Sequence, residues 1–315
     1  MKQFISCDWG TSSFRLRLIE AATKQVLAET KSAQGIAATY SLWKEQPDTD
    51  RILFYSDVIL QQIKLLEKQY GHSLEKVTLV ISGMASSTIG MMELPYKSIP
   101  YKANKAELQI HIIPPAKTFR HQMIMISGVR SANDVMRGEE TILAGCNIAD
   151  KVEEQLFIFP GTHSKHVVVK NGTVKDFKTY MTGELFDLLS NKSILAASVE
   201  EDFTTPGNNE PFIKGIREAI TTNLLNNIFH VRTNQVFGEL SKKENYHYLS
   251  GLLIGEELKN IRNQNYASVT IVSAGALLTL YTEALSALGL KDTLQQKNAD
   301  ESLINGQAFI FNHYH

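Results

Sequence analysis

The residue types that could do chemistry gather first in a polar turn, Pro160-Gly161-Thr162-His163-Ser164-Lys165, set between apolar runs at 156–159 and 167–169. Pro160 and Gly161 let the backbone bend. Asn171-Gly172 follows, a strong hairpin signal between strand-like segments. Thr162, Ser164 and the backbone N–H groups then offer donors in a small arc, and Lys165 adds a point charge. Such an arc suits a phosphate, because amides and hydroxyls hold an anion without burying a bare cation. An ordinary polar hairpin turn would use the same residues. His163 lies inside the turn as a phosphate donor or a structural residue; no Cys or His stands near it at zinc-ligand spacing.

A second turn of the same kind lies roughly 150 residues earlier. After a strand-like run at 4–7 come Asp8-Trp9-Gly10-Thr11-Ser12-Ser13, then a return run at 14–19 with Arg15 and Arg17 on alternate positions. Gly10, Thr11, Ser12 and Ser13 supply donors. Asp8, at a strand end, can hold Mg²⁺ against a nucleotide phosphate, directly or through water. Phosphoryl transfer needs such a clamp, a metal, and a base for the attacking hydroxyl. Three carboxylates between the turns are candidates for that base: Asp134, Glu139 and Glu140. Asp134 opens a helical stretch whose apolar positions Val135, Ile142, Leu143 and Cys146 share one side, which would set its carboxylate at the positive helix end. A plain N-cap is the competing role for Asp134, and an exposed charge run for Glu139 and Glu140. Arg15, Arg130 and Arg137 each offer a two-pronged guanidinium, which matches a carboxylate or a phosphate. Ser86 and Ser87 stand in a small-residue loop, 82–87, at the end of a strand, where ligands sit in α/β sheets. The same loop is also a plain strand-to-helix connection.

The elements that must position these groups are legible in outline. Strands are expected at 2–7, 14–20, 25–31, 77–81, 123–127, 156–159 and 268–273. Helices are expected within 42–69 (capped by Asp48 or Asp50 and ended by Gly71), from 134, and at 184–195 with Thr182 as N-cap, 213–229, 251–262 and 277–288. Residues 93–120, with four prolines, read as loop and edge-strand material, and 300–312 as a weak helix. At 315 residues the chain can hold two domains. Its net charge of −1 gives no single-sign field for nucleic acid or a membrane surface. Two cysteines in apolar contexts, and an N-terminal apolar run too short for a leader, give the cytoplasm as the expected location. No Walker-type glycine-lysine loop, Gly-x-Gly-x-x-Gly or Gly-x-Ser-x-Gly occurs.

The paired turns resemble the phosphate-binding hairpins of the superfamily of acetate and sugar kinases, actin and heat-shock chaperones. The segments DWGTSSFRLRL (8–18), SGMASSTIGMMELPY (82–96), GVRSANDVMRGEETILAG (128–145), FPGTHSKHVVVKNGTVKDFKTYMTGELFDLL (159–189) and SAGALLTLYTEAL (273–285) sharpen that to a resemblance to the 2-dehydro-3-deoxygalactonokinase family. Asn133 and His166 depart from it, at places where Pro and Trp are expected. The resemblance implies an α/β fold of two actin-like (ribonuclease H-like) domains around an interdomain nucleotide cleft. Residues 1–150 would form the sugar-acid side and 151–315 the nucleotide side, with the C-terminal tail packing back on the first. It implies ATP and Mg²⁺ as cofactors, Asp134 as base before Glu139 and Glu140, and adenosine against Gly275 in a strand-to-helix turn. The partner would be a small sugar acid, bound by the arginines and by Ser86 and Ser87; neither nucleic acid nor membrane is expected, and the oligomeric state stays open, a homodimer among the options. The expected reaction is phosphorylation of the terminal hydroxyl of 2-dehydro-3-deoxy-D-galactonate. A kinase of another sugar or sugar acid, a phosphatase, and a nucleotide-binding sensor without turnover are the alternatives.

Overall fold

The computed structural model describes residues 2–46, 48–202 and 210–314. The chain divides into two compact units, one of residues 1–150, 171–176 and 299–315, the other of 151–170 and 177–298.

The first unit opens with β1 (Gln3–Trp9), β2 (Phe14–Glu20) and β3 (Val26–Ser32), then α1 (Ile36–Lys44), α2 (Arg51–Tyr70) and β4 (Thr78–Gly83). Short strands follow: β5 (Lys97–Ser98), β6 (Tyr101–Lys102), β7 (Ile110–Ile113), β8 (Met123–Ile126), β9 (Val129–Arg130) and β10 (Val135–Met136). Then comes α3 (Glu139–Ala144). The main sheet runs β3-β2-β1-β4-β8-β7. Its first three strands are an antiparallel meander, and β4 and β8 run parallel to β1. Helix α2 lays Tyr55, Val58, Ile59, Ile63 and Leu66 on that sheet, a spacing of three and four that one helix face provides. Asp50 caps it by accepting from the Leu53 N–H, and Gly71 ends it with φ 82°. The helix expected within 42–69 is thus α2, with Asp50 as its cap and Gly71 as its end, and α1 precedes it.

The second unit holds β11 (Gln155–Phe159), β12 (Ser164–Lys170) and the second half of β13 (Thr173–Tyr180), then α4 (Thr182–Lys192), α5 (Glu210–Thr221), α6 (Leu224–Val236) and α7 (Lys242–Leu258). It closes with β14 (Ser268–Ser273), α8 (Gly275–Ala287) and β15 (Leu294–Asn298). Its sheet runs β13-β12-β11-β14-β15, with β12 antiparallel to β11, and β14 and β15 parallel. Strand for strand, this repeats the order of the first unit. The final helix, α9 (Ala299–Tyr314), belongs to the first unit, where it packs on α3, β1 and β4.

Three expectations need correction. Asp134 does not open a helix: Val135 and Met136 form a strand, and the helix starts five residues later, after Gly138 at φ 111°. Thr182 is the first helical residue of α4 and not its cap. The stretch 213–229 is not one helix, because α5 ends at Thr221 and Asn223 caps α6 through the Leu225 N–H.

Candidate active site

In the first unit, Asp8 is the next-to-last residue of β1, with Arg15 across from it on β2 and Ser82 beside it on β4. Burial pushes its carboxyl up; the Arg15 and Arg17 guanidinium groups pull it down, and Asp300 pushes it up again. Asp300, at the start of α9, accepts from Arg15 at 2.7 Å and from Arg17 at 3.0 Å, while Arg17 also meets Glu29 at 2.7 Å. Arg15, expected to serve a substrate or a phosphate, is therefore already paired. The turn after β1 is closed by the Gly10 N–H on the Ser13 carbonyl, 2.9 Å, and leaves Thr11, Ser12 and Ser13 exposed. The first N–H groups of α1 hold its carbonyls, Ile36 on Gly10 and Ala37 on Thr11. Only glycine fits at position 35, since a Cβ there would lie 2.3 Å from the Thr11 carbonyl oxygen. Gln307, a residue the sequence did not flag, donates from α9 to the Cys7 carbonyl (3.1 Å) and to Ser82 Oγ (2.9 Å), tying β1, the strand of Asp8, to β4.

The loop after β4 uses its own hydroxyls. Ser86 Oγ donates to the Ile126 carbonyl at 2.8 Å, and Ser87 Oγ to Met84 at 2.7 Å; both serines are buried. Arg137 donates to the carbonyl and to the hydroxyl of Ser86, each at 2.6 Å, with its guanidinium 4.3 Å from the Tyr96 ring centroid. Two predicted substrate residues are thus brought together, in an arrangement that fixes the loop. Arg130 stands exposed, donating to the neighbouring Ser131 carbonyl. Arg51, also not anticipated, donates to the Thr88 carbonyl from among the rings of Tyr40, Trp43 and Tyr55.

The three carboxylates sit differently. Asp134 closes the β9–β10 turn: its carbonyl accepts from Ser131 and its Oδ1 from Val135 at 2.7 Å. Glu139, half-buried, accepts from the Arg137 N–H at 3.1 Å. Glu140 is fully buried and accepts from the Gly138 N–H (2.7 Å) and Thr141 Oγ1 (3.0 Å). Burial first, then the charge of Glu139, push its carboxyl up to about 7. Gly138 abuts Gly83, whose register partner on β1 is Trp9, so α3 starts at the same strand ends as Asp8.

In the second unit, the turn between β11 and β12 exposes Thr162 and His163 and turns the rest inward. Ser164 is fully buried; its hydroxyl meets Tyr281 at 2.9 Å and accepts from the Gly161 N–H at 3.3 Å. Lys165 is also buried, its ammonium on the His163 carbonyl at 2.8 Å. His163 contacts the Glu184 carboxylate, and the Glu184 N–H bonds the Thr162 carbonyl at 3.0 Å. Gly183 lets α4 press on the turn, because a Cβ there would lie 2.7 Å from the Gly161 oxygen and 2.8 Å from Thr162 Cα. Gly275 is the exposed first residue of α8, with open space on its Cβ side. Gly183→Ala must displace the turn backbone, so a variant that folds is expected to weaken the binding of a phosphate ligand at this turn about tenfold or more. Calorimetric titration with a nucleoside diphosphate would check this, and an unchanged affinity would refute it.

Among the described residues, no cluster of three or more His, Cys, Asp and Glu could hold a metal, and no helix is long and apolar enough to cross a membrane.

Two units that each lead with an antiparallel meander, continue in parallel strands and carry a donor-rich turn after the first strand define the actin-like ATPase fold. The activator of 2-hydroxyisocaproyl-CoA dehydratase from Clostridium difficile, solved with bound ADPNP, shares that fold at a TM-score of 0.50 and 11% identity, over 99% of this chain and 95% of its own. More specifically, the chain belongs to the 2-keto-3-deoxy-galactonokinase family of sugar-acid kinases, whose model matches residues 8–310. The 2-dehydro-3-deoxygalactonokinase of Escherichia coli strain K12 is 32% identical over 294 residues, 91% of this chain and 90% of the relative. A probable 2-dehydro-3-deoxygalactonokinase of Rhizobium meliloti is 32% identical over 311 residues, 96% and 94% of the two chains. The crystal structure of a candidate enzyme of that name from Sinorhizobium meliloti superposes at a TM-score of 0.84 with 28% identity, over 99% of this chain and 96% of that one.

Proposed function

We propose that this chain is the kinase that transfers the γ-phosphoryl group of ATP to the terminal hydroxyl of 2-dehydro-3-deoxy-D-galactonate. The family match over residues 8–310, which takes in both turns and every candidate carboxylate, is the observation that carries this reading. The name of the Escherichia coli relative supports the acceptor.

The residues divide the work as follows. The exposed turn of Thr11, Ser12 and Ser13 and the exposed Thr162 and His163 take nucleotide phosphate, and the base lies against Gly275. Mg²⁺ fits Asp8, since that ion keeps several waters and needs only one or two carboxylates beside the phosphates; bound there, it would neutralise phosphate charge. Asp8 is one half-buried carboxylate at the mouth of a hydroxyl-lined turn, which matches that demand. Glu139 accepts the proton of the attacking hydroxyl as the new O–P bond forms and the bond to ADP breaks. Its place directly after Gly138, which abuts Gly83 at the end of β4, favours it over Asp134, which closes the β9–β10 turn, and its partial exposure favours it over Glu140, which is enclosed. Arg130, exposed on β9 with its Nε on the Ser131 carbonyl, is the residue to meet the acid group. Buried thiols at Cys7 and Cys146 fit a cytoplasmic enzyme.

A coupled ADP-release assay with ATP, Mg²⁺ and 2-dehydro-3-deoxy-D-galactonate tests the reading, beside a panel of other sugar acids, sugars and no acceptor. Acceptor-dependent turnover highest on the named acid supports it. Turnover highest on another acceptor reassigns the substrate, turnover without acceptor makes the protein a hydrolase, and ATP binding without turnover makes it a sensor.

A further inference from the structure

Glu257, on the last turn of α7, is a carboxylate in the interior of the second unit, 3% exposed, with no place in the chemistry described so far. Burying a carboxylate is costly unless donors surround it. Here they do: His166 Nε2 on β12 at 2.8 Å, Tyr281 O–H on α8 at 2.7 Å, and Thr182 Oγ1 at the first residue of α4. Each donor comes from a different element, and each element frames the turn at 161–165. His166 continues the strand that the turn feeds. Thr182 precedes Gly183 and Glu184, which pack on and bond to that turn. Tyr281 carries the contact onward to Ser164 at 2.9 Å.

The polarity of this chain of bonds follows from Tyr281, whose O–H is given to Glu257. Burial first and then Glu257 push the Tyr281 hydroxyl well up from its ordinary value, so it keeps its proton and donates it to Glu257. Its oxygen then accepts from Ser164, whose own lone pairs are left facing the Gly161 N–H. The Ser164 hydroxyl is thus engaged by Tyr281 and by its own turn at Gly161.

We infer that Glu257 is a positioning residue for nucleotide phosphate: through Tyr281 and Thr182 it sets the shape of the turn that Thr162 and His163 present. This rests on the assignment of that turn to phosphate.

The test is calorimetric binding of ADP and steady-state kinetics for Tyr281→Phe, Glu257→Gln, Thr182→Val and Thr182→Ser, with unfolding curves to establish that each folds. Tyr281→Phe keeps the ring and removes its two hydrogen bonds, to Glu257 and with Ser164, and is expected to weaken ADP binding and raise the KM for ATP about five- to tenfold. The KM for the acceptor should stay within twofold. Glu257→Gln has one acceptor oxygen for three donors and should show a larger shift of the same kind. Thr182→Val should follow Tyr281→Phe, and Thr182→Ser, which restores the donor, should recover the parental values even if Glu257→Gln fails to fold. Folded variants with parental ADP affinity, beside a weakened Gly183→Ala, would overturn the role of Glu257 alone. A parent that binds no ADP would overturn the phosphate assignment and the inference with it. Equal loss in both KM values and in kcat would mark a merely structural network and also overturn it.

Discussion

Glu139→Gln is expected to lower kcat by about 10²- to 10⁴-fold with little change in either KM, the usual cost of removing a positioned proton acceptor. Asp134→Asn is expected to stay within about threefold of the parent, well short of that cost. The contrast follows from where the two carboxylates lie. Asp134 belongs to a four-residue turn, Ser131 to Asp134, and its Oδ1 is bonded to the next N–H. Glu139 follows Gly138, which touches Gly83 at the end of β4. Gly83 is in register with Trp9, the residue after Asp8, so Glu139 and Asp8 share the carboxyl ends of adjacent parallel strands. Ligands collect at such ends. Behind it, α3 is pressed onto α9 where Gly145 and Gly306 face the carbonyls of Ser302 and Thr141, and α9 in turn bonds the strands of Asp8 through Gln307. The glutamate therefore stands on a rigid support. Single-turnover phosphoryl transfer with the parent and the two variants decides the matter. Full activity in Glu139→Gln with loss in Asp134→Asn would return the role to the aspartate.

What could be read in advance and what could not divide along the range of the interactions. The turns at 8–13 and 160–165 depend on local chemistry, glycine for the bend and hydroxyls for the arc, and both form where their residues say. The pair of turns, DWGTSS at 8–13 and GTHSK at 161–165, also carried part of the family resemblance. The inward half of the second turn was not legible. Ser164 and Lys165 read as phosphate donors by type, yet one bonds Tyr281, 117 residues away, and the other a carbonyl of its own turn. Gln307 and Glu257 act across 300 and 91 residues and leave no local pattern. The false helix at 134 arose because Val135, Ile142, Leu143 and Cys146 happen to fit one periodicity, which Gly138, at a φ no other residue favours, interrupts. Helix α6 was half missed for the opposite reason: Leu225, Phe229, Val236 and Phe237 are exposed, so its apolar residues do not mark a buried face. His166, where the family pattern suggested tryptophan, still supplies a ring N–H to Glu257, so the departure keeps the donor.

Glu140→Gln is expected to stabilise the protein at neutral and mildly alkaline pH, by an amount that vanishes in acid. The folded carboxyl sits at about 7 because burial and Glu139 disfavour its charge, against 4.5 for the ordinary side chain that the unfolded chain presents. Between these values the folded state binds more protons than the unfolded state, so stability falls as pH rises through that window. The span of about 2.5 units corresponds to about 3 kcal/mol of destabilisation, complete above pH 7 and absent below about pH 4.5. Glutamine does not titrate. Its oxygen can accept from the Gly138 N–H and its amide can donate to Thr141 Oγ1, the two contacts the glutamate makes. Urea unfolding of parent and variant should therefore give similar free energies near pH 4.5 and differ by up to about 3 kcal/mol at pH 8, the variant being the more stable. A constant difference across that range would mean that Glu140 does not titrate there. A variant less stable at pH 8 would mean that the buried carboxylate is held by charge-assisted bonds strong enough to outweigh its burial, and the carboxyl would then lie below its ordinary value. The predicted outcome instead makes Glu140 a group retained against stability. That is the pattern expected where a buried acid serves the chemistry of its neighbour Glu139 and not the fold.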